Sequence, residues 1–136
     1  MKRYIIPALC ALLVLLALTA CGSKSKLHIR VFIPESETGR SGLVYEGDVP
    51  FSGEQITVDA LLNKLQEEGK FTYSYDGVFI TIEDLTVYEN VREQYIRGWT
   101  VTINGEYCEK GVFERASAGD NVELVYEIMD ASFDGE

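Results

Sequence analysis

The stretch Trp99–Cys108, WTVTINGEYC, carries the clearest information on the fold. Asn104-Gly105 lies between two runs with the alternating residues of β-strands, and Asn-Gly is typical of a two-residue hairpin turn. Asp76-Gly77 lies in the same way between Phe71–Tyr75 and Val78–Ile82. The sequence therefore predicts two independent hairpins, each with a two-residue turn.

One amphipathic helix is predicted over Val58–Glu68. Its apolar residues recur at helical spacing, Thr57 offers an N-cap hydroxyl, and Gly69 follows the last turn. Leu27–Ile33 and Leu43–Val49 are predicted to be extended and to pair as a hairpin around a loop over Pro34–Ser41. A short strand is predicted at Thr86–Tyr88. The final strand, over Val122–Ile128, places Val122, Leu124, Tyr126 and Ile128 on one face. We expect an α+β fold in which a β-grasp-like mixed sheet of hairpins packs on one helix.

The N-terminus has the layout of an export signal. Two basic residues precede an apolar run over Tyr4–Leu18, which is too short as a helix to cross the roughly 30 Å hydrocarbon core of a bilayer. Leu18–Cys21 resembles the bacterial lipobox. This resemblance implies cleavage before Cys21 and acyl chains on its sulfur, which would anchor the protein to the membrane. The alternative is an ordinary cleaved signal with an incidental cysteine.

These features predict four segments. They are a lipoprotein signal peptide at 1–20, a lipidated tether at 21–26, one domain at 27–129 and an acidic tail at 130–136. The expected location is the cell membrane, on its extracytoplasmic face, with lipid on Cys21 as the anchor.

The chain is strongly acidic, with 22 acidic and 12 basic residues and a formal net charge of -10. Loss of residues 1–20 removes Lys2 and Arg3 and no acid, so the charge becomes -12. Nucleic acid and anionic membrane surfaces repel such a chain. We therefore exclude nucleic acid as a partner.

Catalytic and metal-binding residues are scarce in the predicted domain. If Cys10 leaves with the predicted signal and Cys21 carries lipid, Cys108 is the one thiol left in the domain, and we expect it to be a buried apolar residue. His28 is the only histidine and has no nucleophile motif around it. Nucleotide-binding glycine motifs and the zinc-protease helix are absent. The sequence therefore predicts no enzyme and no dedicated metal site, and divalent-cation binding by surface carboxylates ranks third among the functions considered.

Several motifs together resemble a known family. Gly98–Tyr107, Lys110-Gly111-Val112, Ala118–Tyr126 and the helix start Thr57–Leu62 are similar to the transcobalamin-like C-terminal domain family. That family includes short bacterial lipoproteins and the small β-domain that closes over cobalamin in the animal vitamin carriers. The resemblance covers roughly Leu27–Ile128 and implies cobalamin, or a related small molecule, as the ligand.

The resemblance also implies candidate ligand contacts at Trp99, Asn104, Gly105, Tyr107 and Phe113. Trp99 either packs in the core or lines an apolar ligand face, and the aromatic rings of Tyr107 and Phe113 suit a planar ligand. Two functions stay open. The first is a non-catalytic cell-surface lipoprotein module that binds a small ligand, and the second is a protein-interaction or surface-structural module of the cell envelope.

Overall fold

The computed structural model of the protein describes residues 24–34 and 42–129. The predicted signal peptide, the lipidation site at Cys21, most of the predicted loop over Pro34–Ser41, and the acidic tail lie outside these residues. Within the described ranges, no helix has the length and apolar composition needed to cross a membrane.

The described chain contains ten strands, one α-helix and one short 3-10 helix. In chain order they are β1 (Ser25–Ile33), β2 (Gly42–Phe51), β3 (Gln55–Thr57), α1 (Val58–Glu67), β4 (Tyr73–Tyr75), β5 (Ile80–Ile82), β6 (Tyr88–Asn90), β7 (Tyr95–Ile103), β8 (Glu106–Tyr107), the 3-10 helix (Gly111–Phe113), β9 (Arg115–Ser117) and β10 (Asn121–Met129). This arrangement confirms the predicted α+β class. β1 begins at Ser25, inside the segment predicted as a tether.

The main sheet has the strand order β2-β1-β10-β7-β6, with β8 also paired to β7. β1 and β10 are parallel, whereas the other neighbouring pairs are antiparallel. The sheet is therefore mixed, and the predicted pairing of β1 with β2 is confirmed. Two small antiparallel sheets, β3-β9 and β4-β5, lie outside it.

The helix forms where the sequence predicts it. The Thr57 side-chain oxygen accepts a hydrogen bond from the Ala60 N–H at 3.2 Å, and Gly69 follows the helix with a φ of 75°. The residues at helical spacing, Val58, Leu61, Leu62 and Leu65, are all fully buried. Burial of this apolar stripe, rather than intrinsic helix propensity, supplies most of the stability of so short a helix.

The helix and one face of the main sheet share a single hydrophobic core. We call this the inner face. It carries alternate residues of the three central strands, namely Leu27, Ile29 and Val31 of β1, Val122, Leu124 and Tyr126 of β10, and Trp99 and Val101 of β7. Because side chains alternate along a strand, His28, Arg30, Glu123 and Thr102 lie on the opposite, outer face.

The predicted two-residue turn at Asp76-Gly77 is wrong. β4 ends at Tyr75 and pairs there with Ile80, so the loop has four residues. The Asp76 side chain accepts hydrogen bonds from the N–H groups of Val78 and Phe79 at 2.9 and 2.7 Å. This local side-chain bonding competes with the strand ladder and folds Val78 and Phe79 into the loop.

The region between the two predicted hairpins also differs from the prediction. The strand expected at Thr86–Tyr88 lies at Tyr88–Asn90, and its partner β7 already begins at Tyr95. The Asn90 side chain accepts hydrogen bonds from the Arg92 and Glu93 N–H groups, which closes the turn between these strands. At the far end of β10, Ile128 is 45% exposed, so the expected buried face stops at Tyr126.

Candidate functional site

Trp99 lies in the middle of β7 and belongs to the hydrophobic core. Only 5% of its surface is exposed, and its ring centroid lies 5.4 Å from that of Tyr126. Its indole N–H donates a hydrogen bond to the Leu85 carbonyl at 3.0 Å. Of the two roles considered for Trp99, these contacts favour the core role, although the residue also borders a cleft described below.

Asn104 and Gly105 form the predicted two-residue turn. Their φ angles are 53° and 81°, both in the left-handed region that this turn type requires. The Asn104 amide donates to an Asp120 carboxylate oxygen at 2.9 Å, and its carbonyl oxygen accepts from the Asn121 N–H at 2.9 Å. The second Asp120 oxygen accepts from the Ser117 N–H at 2.8 Å. Asn104 therefore joins the β7–β8 turn to the turn before β10.

Replacing Asn104 with alanine should lower the free energy of unfolding by about 1–3 kcal/mol, because two side-chain hydrogen bonds are lost and φ stays positive. Asn104→Gly loses the same bonds but tolerates the φ angle. We therefore expect the glycine variant to be more stable than the alanine variant in urea unfolding. Equal stabilities would mean that backbone strain contributes nothing here.

Tyr107 and Phe113 are exposed aromatic residues. Tyr107 is 64% exposed and lies at the end of β8, whereas Phe113 is 54% exposed and lies in the 3-10 helix. The Phe113 ring packs edge-on against Tyr75, with a centroid distance of 5.3 Å. Both rings are accessible to a ligand.

A cleft of about 220 Å³ lies beside the middle of β7, and we call it the edge cleft. Its lining includes Tyr75, Val78, Phe79, Trp99, Thr100 and Tyr107. A second cleft of about 420 Å³ contains Asn104 and Tyr107 among its lining residues. The structure thus brings Trp99 and Tyr107 to one cleft and Asn104 and Tyr107 to another, while Gly105 and Phe113 line neither of these two.

Val78 and Phe79 are not among the site residues that the sequence predicts. They are 69% and 43% exposed and lie in the β4–β5 loop at the edge cleft. The alternating pattern of Val78–Ile82 predicts a strand there, in which their side chains would point to opposite faces. The signal that could have identified them is Asp76, since aspartate commonly bonds to backbone N–H groups two or three residues further on.

His28 lies on the outer face between two carboxylates of β2. Its Nδ1 is 2.9 Å from an Asp48 oxygen and its Nε2 is 3.3 Å from a Glu46 oxygen. The hydrogen bond to Asp48, followed by that to Glu46, raises the pKa of His28 above its usual 6.5. Among residues 24–34 and 42–129, no group of three or more potential ligand side chains is arranged to hold a metal ion.

This arrangement predicts a small pH dependence of stability. Because the pKa of His28 is higher in the folded chain than in the unfolded chain, the stabilisation is fully present below the unfolded value of 6.5 and is lost as the pH rises through the folded value. The His28 side chain is 39% exposed, so the effect should stay below about 1 kcal/mol.

The measurement is urea unfolding of the wild type and of His28→Gln at pH 5.5 and pH 8. The difference in stability between the two proteins should be larger at pH 5.5. A difference that is independent of pH would show that the contacts with Asp48 and Glu46 do not raise the pKa of His28.

Cys108 follows β8 and is 5% exposed, in agreement with the expected buried apolar role. Burial raises the pKa of its thiol, and the negative charge of Glu114 adds to this effect. A thiol with a raised pKa is mostly protonated at neutral pH and is therefore a poor nucleophile. Cys108 borders both clefts described above.

Comparison of the chain with models of known protein families and with curated protein sequences finds no match.

Proposed function

We propose that the protein is a non-catalytic binding module, held on the extracytoplasmic face of the cell membrane by acyl chains on Cys21, and that it binds a small ligand at the edge cleft. The observation that carries this proposal is the convergence of the exposed side chains of Val78, Phe79 and Tyr107 on one cleft beside Trp99. Grouped exposed apolar residues at a concave surface are typical of binding sites.

The proposed fold family is β-grasp, as in the transcobalamin-like C-terminal domains. Its support is the strand order, in which the first and last strands are parallel neighbours in the centre and the helix follows the first strand pair. In this arrangement the edge cleft lies on the side of β7 that faces away from the central pair. Cobalamin or a related small molecule is the ligand that this family suggests.

The size of the cleft limits how the ligand is held. Its volume of about 220 Å³ is below the roughly 300–1,000 Å³ typical of pockets that enclose a ligand. A large ring system such as a corrinoid would therefore insert only a peripheral group and would stack its remaining surface on the exposed aromatic residues. Tyr107 is the best placed for such stacking because it borders both clefts.

A non-catalytic role is supported by the environments of the two residues best suited to acid–base or nucleophilic chemistry. Both ring nitrogens of His28 contact carboxylates on the outer face of the sheet. Cys108 is buried, and the pKa of its thiol is raised. Each residue is thus engaged or protonated rather than free to act on a substrate.

The test is a titration with cobalamin of the full chain in phosphatidylcholine nanodiscs, in which the fluorescence of Trp99 reports binding. We expect saturable quenching, and about 10-fold weaker binding by Tyr107→Ala. Tyr88→Ala is the matched control, because Tyr88 is 52% exposed and does not line the edge cleft. Absence of quenching at high micromolar cobalamin, or equal weakening by both variants, would contradict cobalamin binding at this cleft.

The lipid anchor has a separate test. Cys21→Ala should release the protein from the membrane fraction or stall its maturation, and the circular dichroism of the domain should not change. Mass spectrometry of wild-type protein from the producing cell should show a chain that begins at Cys21 and carries the added mass of the acyl chains. Unaltered membrane retention and processing of the variant would contradict lipidation.

A protein-interaction role is the second candidate, and the position of β2 favours it. β2 is a ten-residue strand at the end of the main sheet, with β1 as its one neighbour in that sheet. Exposed strand edges can pair with an extended segment of another protein. A cell-envelope protein that crosslinks to β2 in living cells, together with a failed cobalamin titration, would favour this role.

A further inference from the structure

β7 has a gap in its pairing along the edge that faces away from β10. β6 pairs with Tyr95–Arg97, and β8 pairs with Thr102-Ile103. Next to the β8 ladder, the Cys108 N–H also donates to the Val101 carbonyl. Between these contacts, no strand of the part that the structure describes pairs with Gly98–Thr100 on that side. The edge of β7 is therefore covered at both ends and open in its middle.

The backbone polar groups of Trp99 point into this gap. In antiparallel pairs, the N–H and C=O groups of successive residues point alternately to the two sides of a strand. The Val101 carbonyl accepts a hydrogen bond from the Cys108 N–H on the β8 side, and the Asn104 N–H donates to the Asn121 carbonyl on the β10 side. The register of β7 with β10 has no shift. Trp99, two residues before Val101, therefore presents its N–H and C=O to the open edge.

The edge cleft occupies this gap. Its lining includes Thr100 and Met129 from the outer face and Val101 and Val112 from the core side, which places it at the strand edge. Among the described residues, no hydrogen bond between two backbone groups outside the helices and strand ladders involves Trp99. Because buried backbone groups are nearly always hydrogen-bonded, a ligand that satisfies both groups of Trp99 gains free energy there.

We propose that the edge cleft binds a single blocked amino-acid residue, whose N–H and C=O pair with the C=O and N–H of Trp99 as in an added antiparallel strand. This inference rests on the proposed binding function and names the chemical class of the ligand. Residues directly opposite in such a pair have side chains on the same face. The ligand side chain therefore points toward Tyr75 and Ile80, both of which line the cleft, and an apolar side chain is the best match.

The test uses the full chain, labelled with 15N-tryptophan, in phosphatidylcholine nanodiscs. Trp99 is the only tryptophan, so the spectrum contains one backbone amide signal and one indole signal. N-acetyl-leucine N-methylamide should shift the backbone amide signal saturably. Its analogue with an ester oxygen in place of the leucine N–H cannot donate to the Trp99 carbonyl, and we expect it to bind about 5- to 10-fold more weakly. Equal affinities, or an unmoved backbone signal, would overturn the inference.

Two variants locate the site. Phe79→Ala should weaken binding of the amide probe severalfold, because Phe79 is exposed and lines the cleft. Val91→Ala should leave it unchanged, because Val91 is 79% exposed and does not line the cleft. Equal effects of the two variants would count against the edge cleft as the site of binding.

A blocked tripeptide, acetyl-Ala-Leu-Ala N-methylamide, tests whether the ligand is a single residue. We expect affinity equal to that of the single residue, because β6 and β8 cover β7 on both sides of Trp99. Higher affinity would identify a segment of a peptide as the ligand and would contradict a single-residue ligand. If cobalamin binds in a Tyr107-dependent manner while the amide and ester probes bind equally, the proposed function stands and this inference fails.

Discussion

Replacing Trp99 with alanine should lower the free energy of unfolding by about 3–5 kcal/mol, the usual cost of removing a buried aromatic side chain. The ring is 5% exposed, packs on Tyr126 and donates a hydrogen bond to the Leu85 carbonyl, so the variant loses packing and leaves a carbonyl oxygen without its donor. The measurement is urea unfolding followed by far-ultraviolet circular dichroism, since the variant has no tryptophan fluorescence.

Trp99→Phe is the matched variant. Phenylalanine keeps most of the ring packing but cannot donate to Leu85, and we expect it to cost about 1–3 kcal/mol. A loss below 1 kcal/mol for Trp99→Ala would contradict the core role. Trp99 would then be free to act as a ligand-facing ring.

Replacing Leu62 with alanine should have the second large effect, a loss of about 2–5 kcal/mol. Leu62 is fully buried where α1 meets the core. Truncation removes apolar surface and leaves a cavity that the surrounding strands close only in part. The measurement is again urea unfolding, and the slope of the transition should not change because the fold is retained.

Leu43→Ala is the control for this prediction, because it makes the same chemical change at a residue that is 56% exposed in β2. We expect a change within about 0.5 kcal/mol. Similar losses at the two positions would show that burial of the helix stripe is not what stabilises α1.

The elements predicted correctly share a local cause. The Asn104-Gly105 turn needs positive φ at both positions, a conformation that these two residues adopt readily. The helix start at Thr57 and its end before Gly69 depend on groups within four residues. In each case the conformation is set by residues within one segment, so the local sequence pattern is sufficient to predict the element.

The site depends on contacts between distant segments. The edge cleft exists because β6 and β8 both pair with β7 but leave its centre open, and because the Asp76 side chain turns Val78 and Phe79 toward that opening. The five residues implied by the family resemblance do not share one cleft. Their spacing along the chain shows that several lie near turns, but it does not show which turns are neighbours.

Local patterning is enough to predict the one helix and the main strands, because hydrophobic period and turn chemistry act over a few residues. The lipoprotein-like N-terminus is predicted from local pattern in the same way and stays a prediction. Strand order, the parallel pairing of β1 with β10, and the open edge at Trp99 became visible only in the folded chain. The physical reason is that alternation specifies which face of a strand is buried, whereas the choice of neighbouring strand depends on how all segments together bury their apolar faces around one core.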